Sequence, residues 1–367
     1  METNPLIELG RLGQSPWYDY ITRDLITSGK LARLIADDGL RGMTSNPTIF
    51  EKAISGSGDY DDDIRRLAAA GRTPQEIFDA LAVDDVRAAC DAFRALHERT
   101  GGADGLVSLE VSPELAHDTT GSIAEAKRLW TAVDRPNAMI KIPGTQAGLP
   151  AIEESLAQGI SINVTLLFSV ERYGEVIEAF LRGLERRKIT GHAVDRLNSV
   201  ASFFVSRVDG RVDAELDKKP DAKGLRGTIA IANAAMAYAM FERARATPRW
   251  AMLASAGAHP QRPLWASTST KDPKYPDTYY VEALVAPDTV NTLPPDTFDA
   301  YRDHGKPAIR IHDAISTAPA RLRALAETGV DLAGVTRFLE DDGVAKFAES
   351  YRQLLAGIEA KATALVR

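Results

Sequence analysis

Cysteine is nearly absent from the 367-residue chain, which contains only Cys90. One thiol cannot form an intramolecular disulfide, so we expect a reducing compartment and a cytoplasmic location. Cys90 lies in a run with helical spacing and is expected to be a small buried apolar residue rather than a reactive thiol. The first residues include Glu2 and Glu8 and no long apolar stretch, so no signal peptide is predicted.

Long apolar runs, an excess of positive charge and clustered histidines are also missing. No apolar run approaches the roughly 20 residues that a membrane-spanning helix needs, so we expect no membrane partner. The net charge of -7 offers no basic field for nucleic acid, and a phosphorylated small substrate would need a local basic pocket. The histidines have no metal-ligand spacing, which disfavours a metal-dependent aldolase that would need several histidine ligands. The histidines of this chain are His97, His117, His192, His259, His304 and His312.

The chain does contain a regular alternation of short strand-like runs and helical runs. We place eight strands at residues 17–20, 39–43, 106–111, 139–142, 160–167, 200–205, 264–267 and 279–285. This alternation predicts the α/β class and a (β/α)8 TIM-type barrel with additional helices rather than an open sheet. Residues 338–365 predict a C-terminal helical segment whose apolar stripe, including Phe347 and Tyr351, packs on the barrel as core. We expect residues 1–367 to form a single domain.

The fourth predicted strand holds one lysine among apolar residues, in the run Met139, Ile140, Lys141 and Ile142. Strands that are apolar on both faces belong to buried parallel sheets, so Lys141 should project into the interior. A buried ammonium is costly to desolvate, and a buried lysine generally lowers its pKa. The unprotonated amine attacks carbonyls and can form a Schiff base. The alternative is a structural lysine that reaches solvent or pairs with a carboxylate.

Polar residues fall at or near the carboxyl ends of several predicted strands, where barrels of this type carry their function. In the fifth strand Ser161, Asn163 and Thr165 alternate with aliphatic residues, which places the polar side chains together on one face. The other polar residues at strand ends are Asp19, Asn46, Glu110, Ser202 and Arg207. Their coincidence around one lysine favours a functional site.

Each of these residues also has a structural interpretation. Asn46 precedes Pro47 and could serve turn chemistry alone. Asn163 and Thr165 could be internally satisfied polar groups. Glu110 or Asp19 could form a structural ion pair with the lysine, and Arg207 could belong to a surface helix.

The chemistry of such a site follows from its residue types. Lys141 would attack a ketone, and the resulting iminium would draw electrons from a neighbouring carbon–carbon bond as it breaks. Glu110 or Asp19 could transfer the protons if burial raised its pKa. Arg207 suits a phosphate group because its guanidinium can donate two parallel hydrogen bonds.

These residues lie in motifs that resemble the transaldolase family, whose members use a Schiff-base lysine in the non-oxidative pentose phosphate pathway. The resemblance runs in order across nearly the whole chain and favours a longer-chain bacterial-type subfamily. Thr44-Ser45-Asn46-Pro47-Thr48 and Asn163-Val164-Thr165-Leu166-Leu167-Phe168-Ser169 are specific when they occur together. The other matching runs are residues 17–19, 108–111, 140–143 and 202–207.

The resemblance implies an α/β barrel with its Schiff-base lysine on the fourth strand, here Lys141. It implies transfer of a dihydroxyacetone unit from sedoheptulose 7-phosphate to glyceraldehyde 3-phosphate, giving erythrose 4-phosphate and fructose 6-phosphate. Asp19 would deprotonate the donor hydroxyl, and Glu110 would shuttle protons through a water held by Thr165. No metal or organic cofactor would be needed, and the protein would be a monomer or a homodimer.

The resemblance also implies a binding role for a second group of residues. Asn46 and Asn163 would bind the dihydroxyacetone moiety, Ser202 would line the pocket and Arg207 would bind phosphate. Many family members carry a second phosphate-binding arginine in a Ser-Phe-Arg run after the seventh strand. This chain instead has the run Trp265-Ala266-Ser267-Thr268-Ser269-Thr270-Lys271-Asp272-Pro273, in which Lys271 could supply the charge.

Two other functions remain compatible with the same residues. The first is an aldolase that releases free dihydroxyacetone, since sequence does not reveal how well water is kept from the enamine. The second is a non-catalytic barrel that binds sugar phosphates. The many polar residues facing the predicted lumen make that second alternative the weaker one.

Overall fold

Eight parallel strands form a closed barrel, with β8 hydrogen-bonded to β1. The computed structural model describes residues 4–366, apart from the side chains of residues 220, 221 and 223. The strands are β1 (Gln14–Asp19), β2 (Gly42–Thr44), β3 (Leu106–Glu110), β4 (Ala138–Pro143), β5 (Ile162–Leu167), β6 (Ser199–Phe204), β7 (Arg262–Ala266) and β8 (Thr289–Leu293). The predicted (β/α)8 architecture is therefore confirmed.

Helices surround this barrel and fill the connections between its strands. The first eight are α1 (Pro5–Arg11), α2 (Arg23–Thr27), α3 (Lys30–Asp37), α4 (Pro47–Ser55), α5 (Asp61–Ala69), α6 (Pro74–Arg99), α7 (Thr119–Val133) and α8 (Gly148–Ala157). The others are α9 (Val170–Ile189), α10 (Ser206–Leu216), α11 (Ile229–Arg245), α12 (Pro248–Ala254), α13 (Tyr279–Ala283), α14 (Pro295–His304), α15 (Ile311–Glu327) and α16 (Leu332–Val366). Two short 3-10 helices cover Pro113–Leu115 and Pro220–Leu225.

The eighth strand was placed wrongly from the sequence. Residues 279–285 contain helix α13, and the true β8 lies further along at Thr289–Leu293. The aromatic and β-branched residues of 279–285 suggested a strand, but Tyr280, Val281 and Leu284 bury one helical face. The true β8 was not recognised as a strand because its threonines and Asn291 resemble the composition of a polar loop.

The sequence predicts one helix over residues 25–36, but the structure has two helices there, α2 and α3. Thr22 caps α2 by accepting a hydrogen bond from Leu25 N. The chain then turns at Gly29, whose φ of 78° lies in the left-handed region that glycine tolerates. A single continuous helix is therefore interrupted before α3. The Gly, Ser and Asp residues of 55–63 predict a polar loop, but helix α5 begins within this stretch, at Asp61.

The predicted C-terminal segment is one long helix, α16, that begins six residues earlier than expected, at Leu332. It packs against α4, α5 and α6, and its buried residues include Phe347, Tyr351, Leu354 and Ile358. The prediction that it packs on the barrel is confirmed. That residues 1–367 form a single domain stays a prediction.

A buried ion cluster closes the amino-terminal end of the barrel. Asp104, just before β3, accepts a hydrogen bond from Ser15 of β1 at 2.6 Å. Its carboxylate also lies 2.8 Å from Arg41 Nη1 and 3.2 Å from Arg262 Nη1. Burial alone would raise the pKa of Asp104, but Arg262, Ser15 and Arg41 together outweigh it and the pKa is lowered. This cluster joins strands β1 and β7 to the segments preceding β2 and β3.

Candidate active site

A cavity of about 410 Å³ opens at the carboxyl ends of the strands. Every strand except β3 contributes a residue to its wall, and helices α4, α10, α14 and α16 and the loops that follow several strands add the rest. The strand residues are Asp19, Thr44, Lys141, Thr165, Ser202, Phe204, Ala266 and Thr292. Function was predicted at this end of the barrel, and the cavity lies there.

Lys141 projects from β4 into this cavity and is only 4% exposed. Its Nζ donates a hydrogen bond to the Ser45 carbonyl oxygen at 3.2 Å. The same nitrogen lies 3.3 Å from Oε2 of Glu110 on the neighbouring strand β3. The lysine is therefore buried and paired with a carboxylate, and it does not extend to bulk solvent. Its amine still borders the cavity, where a carbonyl carbon could approach it.

Glu110 lies beside Lys141 without lining the main cavity. It borders a small separate recess of about 20 Å³ next to Ser45 and Asn46, which is enough for roughly one water molecule. Neither carboxylate oxygen accepts a hydrogen bond from a described residue, so the contact with Lys141 is an ion pair with poor hydrogen-bond direction. Burial raises the pKa of Glu110, and the charge of Asp19 adds to this while Lys141 opposes it.

Asp19 ends β1 and faces the same cavity. The Thr44 hydroxyl donates a 2.7 Å hydrogen bond to Asp19 Oδ1 and is itself 2.7 Å from the Thr292 hydroxyl. Burial raises the pKa of Asp19, whereas Lys141, Thr44 and Arg207 oppose that rise. Two carboxyl groups with raised pKa values therefore flank one amine, as proton transfer near neutral pH requires.

Asn163 lies beneath the cavity rather than in its wall. Its Nδ2 donates to the Ser108 hydroxyl at 3.0 Å, and its Oδ1 accepts from the Ser202 hydroxyl at 2.7 Å. Ser202 itself lines the cavity. The two serines satisfy one donor and one acceptor of the amide, so direct contact between Asn163 and a ligand stays a prediction.

Thr165 and Asn46 both reach the cavity wall. The Thr165 hydroxyl is buried and has no hydrogen-bond partner among the described residues, so it retains its capacity to bind a ligand or water. Asn46 caps α4, since its Oδ1 accepts a hydrogen bond from Ile49 N at 3.0 Å. The cap leaves the amide nitrogen of Asn46 as its donor toward the cavity. The structural interpretation of Asn46 and the functional one are therefore compatible.

Three cationic side chains border the outer part of the cavity: Lys52, Arg207 and Lys271. Arg207 Nη1 is buried without a partner among the described residues, and its guanidinium lies 5.0 Å from the Phe204 ring centroid. Burial lowers the pKa of Arg207. Lys271 Nζ donates to the Ser269 hydroxyl at 3.0 Å. These groups form the local basic pocket that a phosphorylated ligand would need.

Several residues of this wall were not predicted from the sequence. Lys52 lies on α4, the helix that Asn46 caps, so that helix was the available signal. Thr44 belongs to the Thr-Ser-Asn-Pro run but was not singled out. Thr292 was missed because β8 was misplaced, and Phe347 because its helix was interpreted only as core.

Metal-ligating side chains do not gather in groups of three or more within residues 4–366. The expectation that the protein needs no metal or organic cofactor stays a prediction. None of the described helices combines the length and apolarity needed to cross a membrane.

The chain is similar in sequence to known proteins over nearly its whole length. The profile of the Transaldolase/Fructose-6-phosphate aldolase family matches residues 16–358. The chain is 53% identical over 361 residues to a transaldolase of Frankia alni, covering 97% of each chain. It is 54% identical over 360 residues to a transaldolase of Acidothermus cellulolyticus, covering 97% of this chain and 96% of the relative. The identity to a transaldolase of Mycolicibacterium smegmatis is 47% over 359 residues, with 97% of each covered. The chain therefore belongs to the transaldolase/fructose-6-phosphate aldolase family.

Proposed function

We propose that the protein is a transaldolase that moves a dihydroxyacetone unit from sedoheptulose 7-phosphate to glyceraldehyde 3-phosphate. The products are erythrose 4-phosphate and fructose 6-phosphate. The observation that carries the proposal is the buried Lys141 amine at the cavity wall, flanked by the carboxyl groups of Glu110 and Asp19. Family membership over nearly the whole chain supports the same reaction.

The reaction begins with attack of Lys141 Nζ on the C2 carbonyl of the donor ketose. Water leaves the carbinolamine and an iminium forms between the lysine nitrogen and C2. Asp19 then takes the proton of the C4 hydroxyl, and the C3–C4 bond breaks. The electron pair of that bond moves to C3 and neutralises the iminium as an enamine, while the C4 fragment departs as an aldehyde.

Transfer reverses these steps with a different aldehyde. The enamine carbon attacks the carbonyl of the acceptor, and Asp19 returns a proton to the new hydroxyl group. Water then hydrolyses the iminium and frees Lys141. Every bond that breaks in the donor is formed again in the product, so the chemistry needs no external oxidant or reductant.

Proton transfers at the lysine nitrogen and the C2 oxygen would be the task of Glu110. Both of its oxygens and the Thr165 hydroxyl have hydrogen-bonding capacity unused by described residues. A water molecule between them would carry protons to the carbinolamine. The raised pKa of Glu110 allows the group to exist in both protonation states during turnover.

Substrate binding would use the two ends of the cavity differently. Near Lys141, Asn46 and Ser202 would hold the dihydroxyacetone hydroxyls. Asn163 would act through Ser202, whose hydroxyl donates a hydrogen bond to Asn163 Oδ1, or would contact the ligand directly after its side chain moves. At the outer end, Arg207 and Lys271 would bind the phosphate. Lys52 extends this basic region from α4.

Replacing Arg207 with alanine should raise KM for fructose 6-phosphate by about 10- to 100-fold, because hydrogen bonds to charged groups contribute roughly 1.5–3 kcal/mol. The matched control is Arg211→Ala on the same helix, where the guanidinium lies over the exposed Phe338 ring at 4.7 Å. That variant should leave KM near the wild-type value. Steady-state kinetics with fructose 6-phosphate and with fructose separate the phosphate contribution, and an equal loss for both sugars would contradict the assignment.

Replacing Thr44 with valine should move the acidic limb of the kcat/KM profile to higher pH. The Thr44 hydroxyl stabilises the Asp19 carboxylate and lowers its pKa, so its loss raises the pKa of a group that must be ionised to act as a base. A rate profile recorded between pH 4 and about 9 would locate that limb. Thr44→Ser retains the hydroxyl and should restore the wild-type profile. If the acidic limb does not move in the valine variant, that limb reports the ionisation of a group other than Asp19.

We further propose that the protein acts on phosphorylated sugars in the cytoplasm, as a monomer or homodimer and without a nucleic-acid partner. A single, buried cysteine supports a reducing compartment. The net charge of -7 combined with a local group of cations at the cavity supports a small anionic substrate rather than a polyanion.

A coupled assay tests the proposed reaction directly. Sedoheptulose 7-phosphate and glyceraldehyde 3-phosphate are supplied together, and erythrose 4-phosphate and fructose 6-phosphate are measured. We expect both products in equal amounts and little free dihydroxyacetone. Free dihydroxyacetone as the main product would identify an aldolase, and binding without turnover would identify the non-catalytic alternative.

A further inference from the structure

We infer that Phe347 of helix α16 forms the apolar roof over Lys141 and determines how often the enamine is transferred to an acceptor rather than protonated by water. This inference rests on the proposed function. The Phe347 ring centroid lies 5.9 Å from Lys141 Nζ, and the residue is 5% exposed. It is the one residue of the described part of α16 that lines the 410 Å³ cavity.

The roof is held in place one helical turn to either side. Gly343 precedes Phe347 by four residues and rests on Leu166 of β5, where an added Cβ would lie 2.9 Å from Leu166 Cδ2. Tyr351 follows by four residues and meets the Phe78 ring edge-on at 5.8 Å. Residues spaced by four share one face of a helix, so α16 presents Gly343, Phe347 and Tyr351 together toward the barrel.

Strand β5 is irregular where helix α16 packs against it. The register of β5 against β6 shifts between Val164 and Leu167, and Leu166 adopts a φ of 59°, a backbone conformation that is uncommon for a bulky side chain. At the shift Thr165 lines the cavity while Leu166 meets Gly343 of α16. One irregularity therefore places both a polar residue of the cavity wall and the leucine on which α16 rests.

Further contacts tie the helix to the active-site side of the barrel. The Thr48 hydroxyl of α4 donates to the Ser350 hydroxyl at 2.8 Å. Lys361 Nζ donates to the Ser57 carbonyl oxygen at 2.6 Å and lies 2.9 Å from Asp61 Oδ1. The first contact fixes α16 against α4, and the Lys361 contacts fix it against the loop after α4 and the start of α5, so the ring keeps its position over the amine.

Phe347 would control which of two reactions the enamine carbon undergoes. In transfer, the enamine carbon forms a bond to the acceptor aldehyde and the aldehyde oxygen takes the proton. In release, the same carbon takes a proton from water, and a second water molecule hydrolyses the iminium to free dihydroxyacetone and Lys141. An apolar ring next to the nitrogen excludes water from that side of the intermediate. The polar floor, formed by Asp19, Thr44 and Thr165, lacks such a barrier.

The test measures the fraction of cleaved fructose 6-phosphate that appears as free dihydroxyacetone, with erythrose 4-phosphate as acceptor. Phe347→Ala should raise that fraction several-fold because it opens space for water beside the amine. Phe347→Leu fills most of that space and should stay close to wild type. In deuterated water the released dihydroxyacetone should carry one carbon-bound deuterium, since the enamine carbon takes its hydron from solvent.

Leu354→Ala is the matched control, because Leu354 is buried on α16 but does not line the cavity. It should lower the melting temperature and leave the product ratio unchanged. An equal shift in Leu354→Ala would assign the effect to a loosened helix and overturn the role of Phe347. If Phe347→Ala does not fold, Phe347→Val should give a smaller shift in the same direction.

Borohydride trapping distinguishes failure of the inference from failure of the proposed function. A wild-type protein that neither forms an adduct with fructose 6-phosphate nor transfers would refute the function and, with it, the inference. Intact trapping and transfer, with an unchanged ratio in the folded Phe347 variants, would refute the inference alone.

Discussion

Lys141→Met should lose transfer activity by at least about 10⁴-fold, the scale seen when a covalent nucleophile is removed. The reason is that no other described lysine combines burial in the barrel with a place in the cavity wall: Lys52 and Lys271 are exposed at its outer part. Reduction with borohydride in the presence of fructose 6-phosphate should leave the sugar mass on the wild-type peptide around residues 139–142. The variant should remain unlabelled.

The matched control for this prediction is Lys271→Met, which removes a lysine from the same cavity. It should keep the adduct at Lys141 and change mainly the affinity for phosphorylated substrates. A Lys141→Met protein that still turns over substrate, or an adduct found on Lys52 or Lys271, would refute the Schiff-base assignment.

Asp104→Asn should lower the free energy of unfolding by about 3–5 kcal/mol, the range for breaking a buried ion pair by removing one partner. Asp104 is 4% exposed and faces Arg41 and Arg262, so the amide would leave two guanidinium groups without their counter-charge. Arg41 is one-third exposed, which places the expected loss toward the lower end of that range. Urea unfolding followed by circular dichroism would measure it.

The pH dependence of this loss has a defined sign. The folded-state pKa of Asp104 is lowered from an unfolded value of about 3.9. The contribution of Asp104 to the stability of the folded state is therefore fully present above that unfolded pKa and disappears as the pH falls through the lower folded-state pKa. The stability gap between wild type and variant should close in acid. Glu349→Gln, which breaks the exposed pair with Arg352, should cause little change at any pH; a comparable loss there would contradict the argument.

Local patterns were sufficient to predict the barrel and to place several of the candidate residues around one cavity. The run around Lys141 reads as a buried strand because its apolar residues surround one charge, and the structure places it there. The alternation in β5 correctly assigned Thr165 to the cavity. Such predictions succeed because strand periodicity and the position of strand ends fix which way a side chain points.

Features that depend on long-range packing were not predictable in the same way. The sequence shows that Phe347 and Tyr351 share an apolar helix face, but not which end of the barrel that face covers. The sequence places Asn163 on the polar face of β5, but it does not show that Ser108 and Ser202 from neighbouring strands hold its amide. The position of β8 was not predicted because its polar residues are paired inside the barrel with a distant part of the chain. Gln14 donates a hydrogen bond to the Thr289 hydroxyl and accepts one from the Asn291 amide.

The solitary thiol gives the molecule an internal reporter of its own opening. Cys90 is fully enclosed within α6, and burial raises its pKa, so the native state presents no thiolate to an alkylating reagent. Labelling therefore requires α6 to move away from the residues that bury Cys90. The rate at which the mass of one alkyl group is acquired would follow the population of transiently opened molecules, without any cysteine having to be introduced or removed.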